Sequence, residues 1–213
     1  MKVAVLSESE VDEAAIRVLV GGLLGREIEP PSNMLPIRSR GYAEVFRILP
    51  TILRHLHFNS DAEALVVVLD SDRTAVHQDT HDEPANRNEN CRLCRLRATA
   101  TEILGYLPQR QGFGPLKMAF GLAVPQIEAW CLTGRDRHVG EAGWLVGLQS
   151  GRFPYTSNSL TEKAYGVATR SSAQRIKRAV EHAQRIVQQG KLDSMRDLFP
   201  GGFRPFADAV RAW

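Results

Sequence analysis

The stretch VVVLDSDR, Val66 to Arg73, decides the fold: four apolar residues run straight into two aspartates separated by one serine. A strand that is apolar at every position is buried on both faces, as in the centre of a parallel sheet covered by helices. In such sheets ligands sit just beyond the carboxyl ends of the strands. Asp70 and Asp72 fall at that edge, and because they flank Ser71, two-residue alternation is expected to turn both carboxylates to the same side.

The surrounding sequence supplies the rest of an α/β pattern. KVAVLSE reads as a short strand, and DEAAIRVLVGGLLG as a helix with a stripe of Ala14, Ala15, Val18, Leu19, Gly22 and Leu23, stopped by Gly25. REIEPPSNMLPIRSRG is expected to be a loop with a short extended piece, broken by Pro30, Pro31 and Pro36. YAEVFRILPTILRHLHFN reads as a helix in two parts around Pro50, and RTAVHQDTHDEPANRNENC as a polar loop. CRLCRLRATATEILGYLP is a helix, and GPLKMAFGLAVPQIEAWCLTG a third strand over 117–124 that turns at Pro125 into a short helix. The remainder reads as loop, followed by the helices SAQRIKRAVEHAQRIVQQG and PFADAVRAW. The expectation is a mainly parallel sheet with helices on both faces: a core over 1–150 with a polar insert near 73–92, and a basic, mainly helical segment over 151–213 packed on it.

With 213 residues, 43% hydrophobic and 24% charged, the chain can bury a core without disulfides. No apolar run approaches a membrane-spanning length, and the N-terminal apolar run is too short for a signal peptide. Three cysteines, an odd number, do not suggest a disulfide framework, which makes a reducing cytoplasm the expected location and a membrane an unexpected partner. The net charge of +3 is unevenly spread. From Gly151 onward there are 11 Lys and Arg against 5 Asp and Glu; the whole chain has 27 against 24, which leaves 16 against 19 before Gly151. An acidic pocket beside a basic segment suits a metal site that also holds an anionic polymer, although a solvated basic helix face gives the same count.

Two aspartates at i and i+2 repel unless a cation lies between them. Hard divalent cations prefer carboxylate and water oxygens, so Asp70 and Asp72 form a candidate metal site; a turn or an ion pair with Arg73 is the alternative. Glu8 lies just past the first strand and Glu128 follows the third. If the strands are parallel neighbours, all four carboxylates gather at one sheet edge, a layout for metal-assisted phosphoryl chemistry. Glu10, Asp12 and Glu13 read as first-turn helix acids favoured by the helix dipole.

Glu8 after the first strand and the later VVVLDSD together resemble a Toprim domain, the metal-binding α/β domain of topoisomerases, primases and overcoming-lysogenization-defect nucleases. AVPQIEAWCLTG and the tail LDSMRDLFPGGFRPFADAVRAW look like the small, stand-alone Toprim-like proteins of the DUF4276 group, many of them linked to mobile-element and phage-defence settings. The resemblance implies a Rossmann-like Toprim fold, Mg²⁺ or Mn²⁺ at Glu8, Asp70 and Asp72 with Glu128 contributing, and phosphodiester cleavage in nucleic acid. The chain reads LSESE where family members often have V-E-G. The rival class is a non-catalytic nucleic-acid-binding or sensor subunit that acts with a partner protein of a defence system.

His77, His81, Cys91 and Cys94 form H-x3-H-x9-C-x2-C inside the polar insert, residue types and spacings that suit tetrahedral zinc. The alternative is a packed pair of cysteines at the start of a helix beside solvated histidines. Zinc binding with incidental acids would make the chain a structural module. Arg73 and Lys117 are candidates to hold a phosphate or to pair with the acids. Arg170, Arg175, Lys177, Arg178 and Arg185 are candidates for a nucleic-acid path, with Arg175, Arg178 and Arg185 on one helical face. Cys131 reads as a buried helical thiol with no histidine partner, and Trp130, Trp144 and Trp213 as anchors of the core or of a partner interface. GGLLG and GFG lack the residues of a phosphate loop.

Overall fold

A computed structural model describes residues 1–35, 41–110, 112–166 and 171–213. Three strands, β1 (Val3–Leu6), β2 (Ala64–Asp70) and β3 (Lys117–Ala123), form a parallel sheet in the order β1-β2-β3. Val66 pairs with Val5 on one side and Ala119 on the other. Each residue from Ala64 to Leu69 is buried, so the central strand is covered on both faces, as its unbroken apolar run requires.

The helices among the described residues are α1 (Glu10–Leu24), α2 (Tyr42–Phe58), α3 (Arg92–Gly105), α4 (Ile127–Cys131), α5 (Glu141–Ser150), α6 (Ser157–Tyr165), α7 (Ser172–Gln188), α8 (Leu192–Leu198) and α9 (Phe203–Arg211). None is long and apolar enough to cross a membrane. α1 packs along α7 and reaches α9, which lies on β3; α2 packs on α3, which also reaches β3. One continuous set of buried side chains runs from Val3 to Val210, so the basic C-terminal segment shares the core of the sheet.

Local chemistry explains most boundaries. Ser9 caps α1 by accepting from the Asp12 N–H at 3.3 Å, and Gly25 ends it in the left-handed conformation at φ 63°. The buried stripe of α1 is Asp12, Ala15, Ile16, Leu19, Val20 and Leu23, rotated from the sequence expectation and starting on an acid. α2 is one continuous helix through Pro50, not two. Its buried stripe of Val45, Ile48, Leu49, Ile52, Leu53 and Leu56 keeps helical spacing across the proline. Six buried aliphatic chains, at roughly 1.5–3 kcal/mol each, outweigh the roughly 3 kcal/mol that an interior proline costs.

α5 and α6 occupy a region expected to be loop. α5 carries two glycines and α6 begins in Ser-Asn-Ser, compositions that hide helices from periodicity. α6 is held by a capping box between Thr156 and Ser159, and α5 by the side chains it buries, Trp144 and Glu141. Trp144 stacks on Tyr155. The insert contains two single 3-10 turns, Asp79–Asp82 and Pro84–Asn86. Pro36 lies outside the described residues.

Candidate functional site

β2 and β3 end together at Asp70 and Ala123, β1 ends earlier, opposite Val67, and the chain after each is tied to its neighbours. Ser7 Oγ donates to the Val68 carbonyl at 2.8 Å, which fixes the exit of β1 against β2. One residue on, Glu8 Oε1 accepts from the backbone N–H of Asp70 at 2.9 Å. Asp70 Oδ1 in turn accepts from the Ile127 N–H at 3.0 Å, so it satisfies the first free donor of α4, whose own N-cap residue Gln126 makes no side-chain cap. The chain beyond β2 is pinned by Ser71 N to Ala123 O at 2.8 Å and Asp72 N to Pro125 O at 2.9 Å. Acids from three distant parts of the sequence therefore meet at the carboxyl edge of the sheet.

Asp72 departs from the expected alternation. β2 ends at Asp70, and Asp72 adopts the left-handed conformation at φ 49° while its carbonyl accepts from Trp144 Nε1 at 3.0 Å. Asp70 is thereby turned into the cluster, and the Asp72 side chain, 51% exposed, sits on the rim. Arg92 bridges the two: its guanidinium donates to the Asp70 carbonyl, lies 2.8 Å from Asp72 Oδ2 and 3.8 Å from Glu8 Oε1, and covers the Tyr42 ring at 3.9 Å.

The electrostatics match a crowded, poorly neutralised set of carboxylates. Burial pushes Asp12 up to about 7, reinforced by Glu128 and Glu8. Asp70 is held well above the ordinary carboxylate range by burial and by Asp12, Glu8, Glu128 and Asp72. Glu8 is raised by burial against the opposing Asp70 N–H and Arg92. Glu128 is raised by burial despite Thr161 Oγ1, which donates to it at 3.3 Å, and despite the charge of Arg175. Asp12, read from sequence as an ordinary first-turn acid, thus belongs to the cluster. Its signal was its position: an acid in the i, i+3, i+4 line of the core stripe. Arg92 was missed too, although a cation in the first turn of a helix opposes the helix dipole and needs another reason to be there.

Other candidates fall elsewhere. Lys117 begins β3 and Asp70 pairs with Ala123 at its far end, so Lys117 lies about 20 Å from the acids at ~3.3 Å per residue; its Nζ donates to the Trp213 carbonyl. Arg185 turns inward and donates to the Cys131 carbonyl at 2.9 Å, closing the end of α4, whereas Arg175, Lys177 and Arg178 are exposed. Arg73 is exposed beside the site, over the Phe153 ring. Arg170 lies outside the described residues. Trp130 is buried between Phe203 and Phe206, and burial pushes the Cys131 thiol far up, which leaves it inert as a nucleophile.

The insert brings its own cluster together. His77, His81, Cys91 and Cys94 place one donor atom each within 4.8 Å of one another, and could bind a metal ion. His77 Nδ1 lies 3.6 Å from Cys94 Sγ and 3.8 Å from Cys91 Sγ, and its Nε2 lies 3.3 Å from Asp82 Oδ1. Burial lowers His77 to about 4 and raises Cys91 to about 12.

No protein-family model matches the chain, and no curated protein or solved structure matches it. The geometry alone carries the functional reading.

Proposed function

We propose that the protein is a Toprim-like, metal-dependent phosphodiesterase acting on nucleic acid, in a phage-defence or mobile-element setting, with Mg²⁺ or Mn²⁺ held by Glu8, Asp70 and Asp72. The observation that carries this reading is the 2.9 Å hydrogen bond from the Asp70 N–H to Glu8, which joins acids 62 residues apart at the sheet edge where ligands bind. The donor set fits the ion. The Arg92 guanidinium lies beside Glu8 and Asp72, and the raised protonation of Glu8, Asp12, Asp70 and Glu128 reports negative charge that a hard dication would balance.

Such an ion supplies polarisation of a phosphate oxygen and an acidified water. The chain's own residues supply the rest. Glu8 is half-buried at the rim with a raised affinity for protons, which suits it to orient an attacking water and accept its proton. Glu128, which Thr161 Oγ1 orients by donating to it, would complete the ligand set or support it from behind, and Asp12 adds negative charge that favours the ion. Arg92 and Arg73 flank the rim as cations for a phosphate. For the cluster of two thiols and two imidazoles we read the ion as zinc, since those donors suit a borderline-soft metal and not Mg²⁺.

The rival reading, a nucleic-acid-binding subunit that needs a partner protein, is favoured by the 2.8 Å pairing of Arg92 with Asp72, which already neutralises part of the site. Incubating the protein with single- and double-stranded DNA and RNA in Mn²⁺ or Mg²⁺ separates the two. Cleavage that disappears in Asp70→Ala establishes the phosphodiesterase. Tight, salt-sensitive binding without turnover establishes the rival.

A further inference from the structure

We propose that His77, His81, Cys91 and Cys94 hold a zinc ion whose role is to position Arg92 in the carboxylate centre. The zinc half of this inference stands independently; the positioning half gives the ion a task at the site assigned above and rests on that reading.

The geometry is close to a zinc cage. With Zn–N near 2.05 Å and Zn–S near 2.3 Å, a tetrahedral site separates nitrogen from sulfur by about 3.6 Å. His77 Nδ1 lies 3.6 and 3.8 Å from the two sulfurs. The remaining ring nitrogen of His77 faces Asp82 at 3.3 Å, the carboxylate–histidine arrangement that orients a metal-bound imidazole. His81 Nδ1 accepts from the Gln78 N–H at 3.4 Å, which leaves its Nε2 for the ion. His77, Cys91 and Cys94 are buried. The insert around them has little packed core: every residue from Glu83 to Arg87 is exposed, and its helical structure amounts to two single 3-10 turns. A metal clip is the kind of tie such a segment needs.

Arg92 is the link. It is the first residue of α3, directly after Cys91 and two before Cys94. An ion gripping both sulfurs fixes this helix turn, and with it the backbone that carries the guanidinium onto the Asp70 carbonyl, Asp72 and Glu8. Only 5% of Arg92 is exposed, so small shifts of the turn have nowhere to be absorbed. Arg97, further along the same helix, donates to Asp82, the carboxylate that faces His77 Nε2, which ties the far side of the cage to α3.

The test has two arms. Elemental analysis of protein purified without added metal should find about one zinc per chain, retained in Asp70→Ala and lost in the Cys91→Ser, Cys94→Ser double variant; absence of bound zinc from the wild type after zinc is supplied overturns the site. The second arm follows thermal unfolding. Arg92→Ala should lower Tm by roughly 5 °C in zinc-loaded protein, about 1–2 kcal/mol for a chain of this size, and by much less in the double serine background. Equal drops in both backgrounds overturn the positioning role. If the double variant does not fold, wild type and Arg92→Ala stripped with a zinc chelator take its place. Neither arm depends on activity, so a failed cleavage assay with intact zinc coupling rejects the phosphodiesterase alone.

Discussion

Asp70 carries a load that its neighbours set. Its Oδ1 caps α4 through the Ile127 N–H, while burial and four other acids oppose its charge. Asparagine can keep the acceptor and shed the charge. Asp70→Asn should therefore leave Tm in EDTA unchanged or raise it by a few degrees, roughly 1 kcal/mol, while the upward Tm shift produced by Mn²⁺ disappears. A clear drop in Tm in EDTA would show that the carboxylate is structural. Asp12 makes the same point through pH. In the unfolded chain it ionises near its ordinary value; folded, it keeps its proton up to about 7. Between those values the folded state binds the extra proton, so stability is full at low pH, falls as pH rises through about 7, and then levels off. In EDTA, unfolding at pH 5 and pH 8 should show Asp12→Asn losing less stability on the alkaline side than wild type; the same pH dependence in both would refute the buried acid. Glu8 and Asp70 were legible in the sequence because a strand end fixes where an acid can lie. Asp12 and Arg92 were not, because their side chains are read only once the helix rotation is known.

α1 and α7 pack closely at Gly22. A methyl group on Gly22 would come within 2.4 Å of Val187 Cγ2, so the two helices approach closely only because that side chain is missing. Alanine gains up to about 1 kcal/mol of helix propensity and meets an overpacking cost of about 1–3 kcal/mol. Gly22→Ala should therefore lower stability to chemical denaturation by about 1 kcal/mol, and Val187→Ala in the same chain should restore part of it; a stabilised Gly22→Ala would mean that α7 yields freely. The tail has a similar constraint at Gly201 and Gly202, where a methyl group would come within 2.0 Å of the His77 and Leu122 carbonyl oxygens, and whose N–H groups donate to the buried carboxylate of Glu141 at 2.8 and 3.0 Å. The strands were readable as short unbroken apolar runs, and the long amphipathic helices from periodicity, since their burial repeats at a fixed spacing. α5 and α6 were not, because their order comes from contacts such as Trp144 on Asp72 and on Tyr155, which link residues far apart in sequence. Pro50 misled for the converse reason: a local breaker lost to the burial of a whole helix face.

Across the molecule, the acidic sheet edge and the basic C-terminal segment are neighbours. The charge of Arg175 opposes the raised pKa of Glu128, and Lys177 and Arg178 follow it as exposed cations in the N-terminal half of α7. An anionic polymer lying along that helix would be led toward the carboxylates, with attraction to the helix offsetting repulsion at the edge. Binding of this kind releases counterions, and each phosphate contact contributes about 0.7 to the slope of log affinity against log salt on a single strand. Anisotropy titrations of a labelled single-stranded oligonucleotide in EDTA, over a range of salt, should therefore show a shallower slope when Arg175, Lys177 and Arg178 are all replaced by alanine, by roughly 2 in total, with little dependence on base sequence. Arg185→Ala gives the contrast. Its guanidinium closes α4 through the carbonyls of Cys131 and Thr133 at 2.9 and 3.4 Å, so its loss should lower Tm and leave the salt slope as it was. If the triple variant keeps the wild-type slope, α7 is a solvated face and the polymer, if one binds, takes another route to the acids.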